Sequence, residues 1–309
     1  MAKSVTFIDQ IAANKRNSNI LMLSMVLLLV ALGSVFGGFY GDWQTGAFAG
    51  VIAAVICLVI ALCGGADCLL AFSGAAELHR EEVAGVLELQ TLFNVVEEMS
   101  IAAGVPMPRV FLIDEAAPNA FATGASPENS AVAVTTGLLA KLNREQLQGV
   151  IAHEIGHIRN YDIRFSMLMA ILAGGIALLS EVFLRSLFFT GGGRRRNEKE
   201  GGNMQLLLMI VGLILMIVAP ILATLIQLAV SRQREYLADA SAVQFTRNPD
   251  GLAEALEILS GDRTPMRESR VTENMYIVNP KAALRGGADS LLSTHPPIRE
   301  RVRRLREEM

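Results

Sequence analysis

Four stretches of this chain carry no charged residue: Ile20–Tyr40, Ala47–Ala66, Phe165–Ser180 and Met204–Val230. About 20 apolar residues in a helix cross the ~30 Å hydrocarbon core of a bilayer. The first, second and fourth stretches read as membrane helices on that measure. The third has only 16 uncharged residues, and it lengthens to Phe189 by taking in Glu181 and Arg185. Those two are four apart and would neutralise each other on one helix face. Pro220 lies inside the fourth stretch; a membrane helix tolerates proline by kinking. Only Gly41–Gly46 separates the first two stretches, so they form a tight hairpin.

Composition agrees. The 309 residues are 52% hydrophobic and 18% charged, against about a quarter charged in a soluble domain. Such a chain is neither disordered nor an ordinary soluble enzyme. A formal net charge of −3 speaks against a nucleic-acid partner, which calls for a basic footprint. Cys57, Cys63 and Cys68 lie in or beside the second stretch and match no zinc-ligand spacing; they read as small apolar-facing residues. The first stretch is too long for a signal-peptide core, and no small-residue cleavage site follows it.

Orientation follows from the positive-inside bias. Lys3, Lys15 and Arg16 precede the first stretch, and Gly41–Gly46 has no Lys or Arg. The N-terminus and the segment after the second stretch are expected on the cytoplasmic side. Arg194, Arg195, Arg196 and Lys199 sit between stretches three and four. Either the early signals dominate, or stretches three and four form a hairpin that does not fully cross. Both arrangements keep the two polar lobes on one side.

Those lobes divide the chain into an N-terminal hairpin (1–76), a lobe at 77–164, a second hairpin at 165–230 with a flexible charged linker at 190–203, and a C-terminal lobe at 231–309. In the first lobe, Glu77–Ala103 has helical periodicity and stops at Gly104 and Pro106. Val110–Ile113 and Ala131–Thr136 read as strands. Pro118–Gly124 is an uncharged extended piece, expected as an edge strand. Asn143 and Gln146 form a capping box, and no Pro or Gly follows His157 before Phe165, so one helix is expected from Asn143 to Ser180. The C-terminal lobe reads as helices at Ser231–Phe245, Gly251–Leu259 and Ile298–Glu308.

The chemistry lies in His153-Glu154-Ile155-Gly156-His157. Positions i and i+4 share one helix face, so both imidazoles can grip one metal ion at ~2.0–2.1 Å. Glu154 is then free to face a metal-bound water, the arrangement of zinc peptidases. Gly156 is a poor helix former and implies a close neighbour. A third ligand is needed. The extended motif with a third histidine is ruled out, because Asn160 and Ile163 occupy its glycine and histidine positions. In Ser231-Arg232-Gln233-Arg234-Glu235-Tyr236-Leu237-Ala238-Asp239, Glu235 and Asp239 share a face. Glu235 can bind the metal, and Asp239 can accept the free N–H of a ligating histidine. Asp162 and Glu181 are weaker alternatives as ligands. His79 reads as a surface or interface residue.

These motifs, with Pro118-Asn119-Ala120-Phe121-Ala122-Thr123-Gly124 and Ser293-Thr294-His295-Pro296-Pro297, resemble the HtpX family of integral-membrane zinc metalloproteases over nearly the whole chain. The resemblance implies one zinc per chain on His153, His157 and Glu235, with Glu154 as the catalytic carboxylate. It implies cleavage of misfolded membrane proteins on the cytoplasmic side, in the inner membrane if the source is bacterial. The expected fold is a mainly α membrane protein: four hydrophobic helices plus a cytoplasmic α+β zincin-like domain with a small sheet.

Zinc lowers the pKa of bound water toward ~7 and polarises the scissile carbonyl, while Glu154 moves the proton from water to the leaving amine. His295 is the first candidate for holding the oxyanion, with Tyr236 and Arg232 as rivals. Asn119, Ala120 and Phe121 are candidates for binding an extended peptide by strand addition. With an unbroken helix after His157, eight residues to Phe165 rise about 12 Å, and the five residues from Val230 to Glu235 rise about 8 Å. A metal roughly 10 Å from the apolar boundary favours substrates in or beside the bilayer. The exposed linker invites cleavage by a sister molecule; the oligomeric state is left open. A zinc-binding scaffold without catalysis is the alternative, and the retained Glu154 argues against it.

Overall fold

The structure is a computed structural model and describes residues 7–190, 202–265 and 296–308. Two compact units emerge. One comprises residues 15–63 and 168–227; the other comprises residues 1–14, 64–167 and 228–309.

The first unit is helical and apolar. It contains most of α1 (Phe7–Phe39) and α2 (Trp43–Phe72), with parts of α6 (Asp162–Thr190) and α7 (Gly202–Thr246). Among the described residues, three helical segments are long and apolar enough to cross a membrane: Asn19–Phe39, Trp43–Phe72 and Asp162–Arg185. The fourth apolar stretch lies within α7, which continues past Pro220 to Thr246. The hairpin between α1 and α2 is tighter than the sequence suggests. Asp42 Oδ1 accepts the amides of Gln44 and Thr45, each at 3.1 Å, and starts α2 at once. The helices then cross glycine against glycine. A Cβ on Gly37 would fall 2.5 Å from Gly46 Cα, and one on Gly33 would fall 2.8 Å from Gly50 Cα. Such small-xxx-small pairs let helix backbones touch where lipid offers no hydrophobic drive. Glu181 and Arg185 pair at 2.5 Å, as their spacing anticipates. α2 bends at Gly64, whose backbone leaves the helical region.

The second unit holds a four-stranded mixed sheet of order β1-β2-β4-β3, made of β1 (Ala75–Leu78), β2 (Arg109–Ile113), β3 (Ala120–Ser126) and β4 (Asn129–Thr135). β2 and β4 run parallel; the other two pairings are antiparallel. Side chains alternate across the sheet. Val110, Ala120, Ala122, Val132 and Val134 join the main core with α3 (Leu87–Ala103) and α5 (Arg144–Arg159). Phe111, Ile113, Phe121, Ala131 and Ala133 pack with Leu70 on the other face. The extended piece at Pro118–Gly124 does become an edge strand.

One helical expectation is overturned. Glu77 and Leu78, the expected start of the Glu77–Ala103 helix, instead end a strand, Ala75–Leu78, that pairs with β2, and residues 79–86 form turns closed by Glu82 N–H to His79 O and Val86 N–H to Val83 O. The helix starts only at Leu87 and stops at Gly104 (φ 68°). The apolar residues at 83 and 86 fit a helical period, but a waiting strand partner decides the backbone of 75–78.

α5 is the central element. The capping box at Asn143 and Gln146 is formed as read. Two glycines one face apart let neighbours approach its backbone. A Cβ on Gly149 would meet the Leu252 amide of α8 (Pro249–Gly261) at 2.6 Å. One on Gly156 would meet Ser241 Cβ at 3.1 Å and the Ala238 carbonyl oxygen at 3.3 Å, both on α7. α9 (Ile298–Glu307) buries Val302 and Leu305 in the same core.

A second expectation fails here. The helix is not continuous from Asn143 to Ser180: α5 ends at Arg159, Tyr161 takes φ 61°, and α6 starts at Asp162. No Pro or Gly marks the break. The rise of about 12 Å from His157 to Phe165 assumed an unbroken helix and no longer applies. The count through α7 to Glu235 stands, because that helix is uninterrupted.

Candidate metal centre

α5 places His153 and His157 on one face, and α7 brings Glu235 against them. The two Nε2 atoms are 3.2 Å apart, with rings nearly perpendicular at 89°. Glu235 oxygens lie 3.6 Å from His153 Nε2 and 3.5 Å from His157 Nε2. Ligand atoms held ~2.0–2.1 Å from a tetrahedral ion are about 3.3 Å from one another. The closest approaches of the three side chains are near that spacing, and a two-imidazole, one-carboxylate set leaves the fourth position open. Among the described residues this is the group of three His, Cys, Asp or Glu side chains whose donor atoms converge this way. The residues therefore fit a metal such as zinc.

Comparison with protein-family profiles matches residues 87–309 to peptidase family M48. A Streptococcus gordonii protease HtpX homologue is 43% identical over 97% of this chain and 99% of its own length. A Listeria monocytogenes serotype 4b protease HtpX homologue is 46% identical over 96% of this chain and 98% of its own. The chain belongs to peptidase family M48, among the HtpX proteases. It is a membrane metalloprotease, a hydrolase that acts on protein. Among solved structures, S. mikatae Ste24p is similar at TM-score 0.48 and 20% identity, covering 90% of this chain and 61% of that one. The chain thus spans about three fifths of that structure's length.

Behind each histidine stands a carboxylate. Asp239 Oδ1 is 2.9 Å from His153 Nδ1. Asp162 Oδ2 is 3.2 Å from His157 Nδ1. Asp162 is thus not set among the converging donors; it holds the far nitrogen of one of them. Burial opposes charge on His157, but Asp162 and Glu235 outweigh it and push its pKa up to about 10. Burial works against the charged form of Asp239 too, yet Arg301 and His153 hold its carboxyl below the usual carboxylate range.

Glu154 is buried beside the two histidines. Burial lifts its pKa above the ordinary value, against the pull of both imidazoles and of a hydrogen bond from the Ala122 amide of β3. A carboxylate raised in this way is a stronger base than an exposed one, the direction a general base needs.

The remaining candidates separate. Phe121 is fully buried under the sheet, and Ala120 faces the main core. Asn119 is buried; its amide donates to Thr135 Oγ1 and its carbonyl accepts from the Thr135 amide. What this stretch can present to a peptide is its backbone edge. Tyr236 lies under the Arg304 guanidinium at 3.9 Å, engaged with α9. Arg232 is exposed. Glu181 is paired with Arg185 in the apolar unit. His295 and residues 191–201 of the linker lie outside the described residues.

Sequence reasoning missed two residues. Arg301 is fully buried, with Nε and Nη2 on Asp239 at 2.9 and 2.6 Å. Arg234 is buried against Asp162 at 3.3 Å and over the Phe165 ring at 3.9 Å. The only advance signal for Arg234 is its place beside Glu235; Arg301 sits among arginines of like appearance on α9.

Proposed function

We propose that this chain is a zinc endopeptidase, with zinc held by His153, His157 and Glu235 and with Glu154 as general base. The observation that carries the reading is the convergence of those three donors beside one buried carboxylate of raised pKa. Zinc, when bound, supplies Lewis acidity toward water and the scissile carbonyl. Glu154 takes the proton of the attacking water on its carboxylate and delivers it to the leaving amine. Asp239 and Asp162 keep the Nδ1 of each histidine engaged, so that Nε2 is presented with its lone pair free. The β3 edge is the proposed seat for an extended peptide, by strand addition at Asn119–Ala122. The Glu154 link to the Ala122 amide supports this, because it ties the base to that strand. His295 is proposed to stabilise the oxyanion.

The substrates are misfolded or damaged membrane proteins cut at the cytoplasmic face. Two features support this reading. Glu235 follows the fourth apolar stretch by five residues on one uninterrupted helix, and positive charge before α1 favours a cytoplasmic N-terminus.

The test is zinc content and cleavage of casein or an unfolded membrane protein, by detergent-purified wild type and Glu154→Gln, with a chelator control. The expected result is about one zinc per chain in both and cleavage by wild type alone. Absence of zinc from wild type would overturn the ligand assignment. Bound zinc with equal cleavage by Glu154→Gln would remove Glu154 from the mechanism.

A further inference from the structure

Every buried Asp, Glu, Lys and Arg among the described residues belongs to one cluster: Glu154, Asp162, Glu235, Asp239, Arg234 and Arg301. Within it run two parallel relays. Arg301 grips Asp239, which holds His153, and its Nη1 also lies 3.3 Å from Glu235 Oε2. Arg234 pairs with Asp162, which holds His157. We infer that Arg301 and Arg234 are the positioning residues of the metal centre, each locking the carboxylate that orients one ligand histidine. This inference rests on the metal site proposed above.

Arg301 fixes the orientation of the Asp239 carboxylate: its Nε holds Oδ2 at 2.9 Å and its Nη2 holds Oδ1 at 2.6 Å, and that same Oδ1 faces His153 Nδ1 at 2.9 Å. Arg234 does the same for Asp162 through one contact, and the Phe165 ring covers its guanidinium.

The relays also reach different parts of the chain. Arg301 brings α9 into the site across 62 residues from Asp239. Arg234 joins α7 to the first residue of α6. The two contacts differ in kind: a two-pronged fork on Asp239 and a single contact on Asp162. Lysine can replace a point charge but not a planar fork, so the two sites should answer differently to the same conservative change.

The experiment uses the full-length protein in detergent, stripped of metal and titrated with Co2+ alone against a competing chelator. Affinity and the visible Co2+ bands are the readouts. Wild type is expected to bind one Co2+, and Arg301→Gln and Arg234→Gln are each expected to bind ten- to a hundredfold more weakly with altered bands, the scale of outer-shell losses. Arg234→Lys should recover most of the affinity, and Arg301→Lys little. Because Arg301→Gln leaves Asp239 buried without its cation, the pair Asp239→Asn and Asp239→Asn/Arg301→Gln provides a second route. Equal affinity in those two supports action through Asp239; a further loss in the double variant assigns the effect to the direct Arg301–Glu235 contact and overturns the relay. Unchanged affinity and bands in both Gln variants would overturn the inference. A wild type that binds no Co2+ would instead bring down the metal-site reading.

Discussion

Asp162 Oδ2 reaches His157 Nδ1 at 3.2 Å although only five residues separate them. On a continuous helix, five residues would turn the two side chains about 140° apart. The contact exists because Tyr161 adopts φ 61° and swings the start of α6 back over the end of α5. A left-handed backbone at a residue with a Cβ costs roughly 1–2 kcal/mol, so the break is held by what it accomplishes at His157.

Substitutions at Tyr161 should therefore sort by tolerance of positive φ. Tyr161→Asn should keep metal affinity within about twofold, since Asn visits this region readily. Tyr161→Val should lower both affinity and stability, the latter by about 1 kcal/mol. Chelator competition and thermal melting measure the two effects.

The glycines of α5 predict a contrast. Gly156→Ala inserts a methyl between α5 and the stretch of α7 one turn beyond Glu235. It should cost about 1–3 kcal/mol and weaken metal binding, because Glu235 moves away from the histidines. Gly149→Ala presses on α8, which carries no ligand. It should cost a similar amount in melts while the folded protein keeps its metal affinity.

In the apolar unit, Gly37→Leu should force α1 from α2, whose Gly46 Cα would lie 2.5 Å from a Cβ there. The expected penalty is about 1–3 kcal/mol, read as a lower unfolding midpoint in detergent. Phe48→Leu, at an exposed position on α2, should leave that midpoint in place.

The metal-stripped protein should melt several degrees below the loaded one, since ligand at 1,000 times its Kd adds about 4 kcal/mol. Glu154→Gln removes from the stripped site a carboxyl whose burial opposes its charged form. It should abolish cleavage yet raise the melting midpoint of the metal-free form above that of metal-free wild type.

Much of the site was legible because its signals are local. Uncharged runs of helical length, an i, i+4 histidine pair, a capping box and an acidic pair one turn apart are all set by composition and a period of 3.6 residues. Even the need for a close neighbour at Gly156 could be read, since a helix-weakening glycine in that place has no other use.

What the sequence by itself determined is thus the apolar stretches and the residues whose donor atoms converge at the candidate metal centre. Tertiary structure alone decided that residues 75–78 become a strand, because β2 offered them a partner. It decided that the helix breaks at Tyr161, because Asp162 must meet His157. It decided that, of the chain's many arginines, Arg301 and Arg234 are buried behind the histidines. Each of these depends on a group brought in from elsewhere in the chain, and local periodicity carries no record of a partner that only folding supplies.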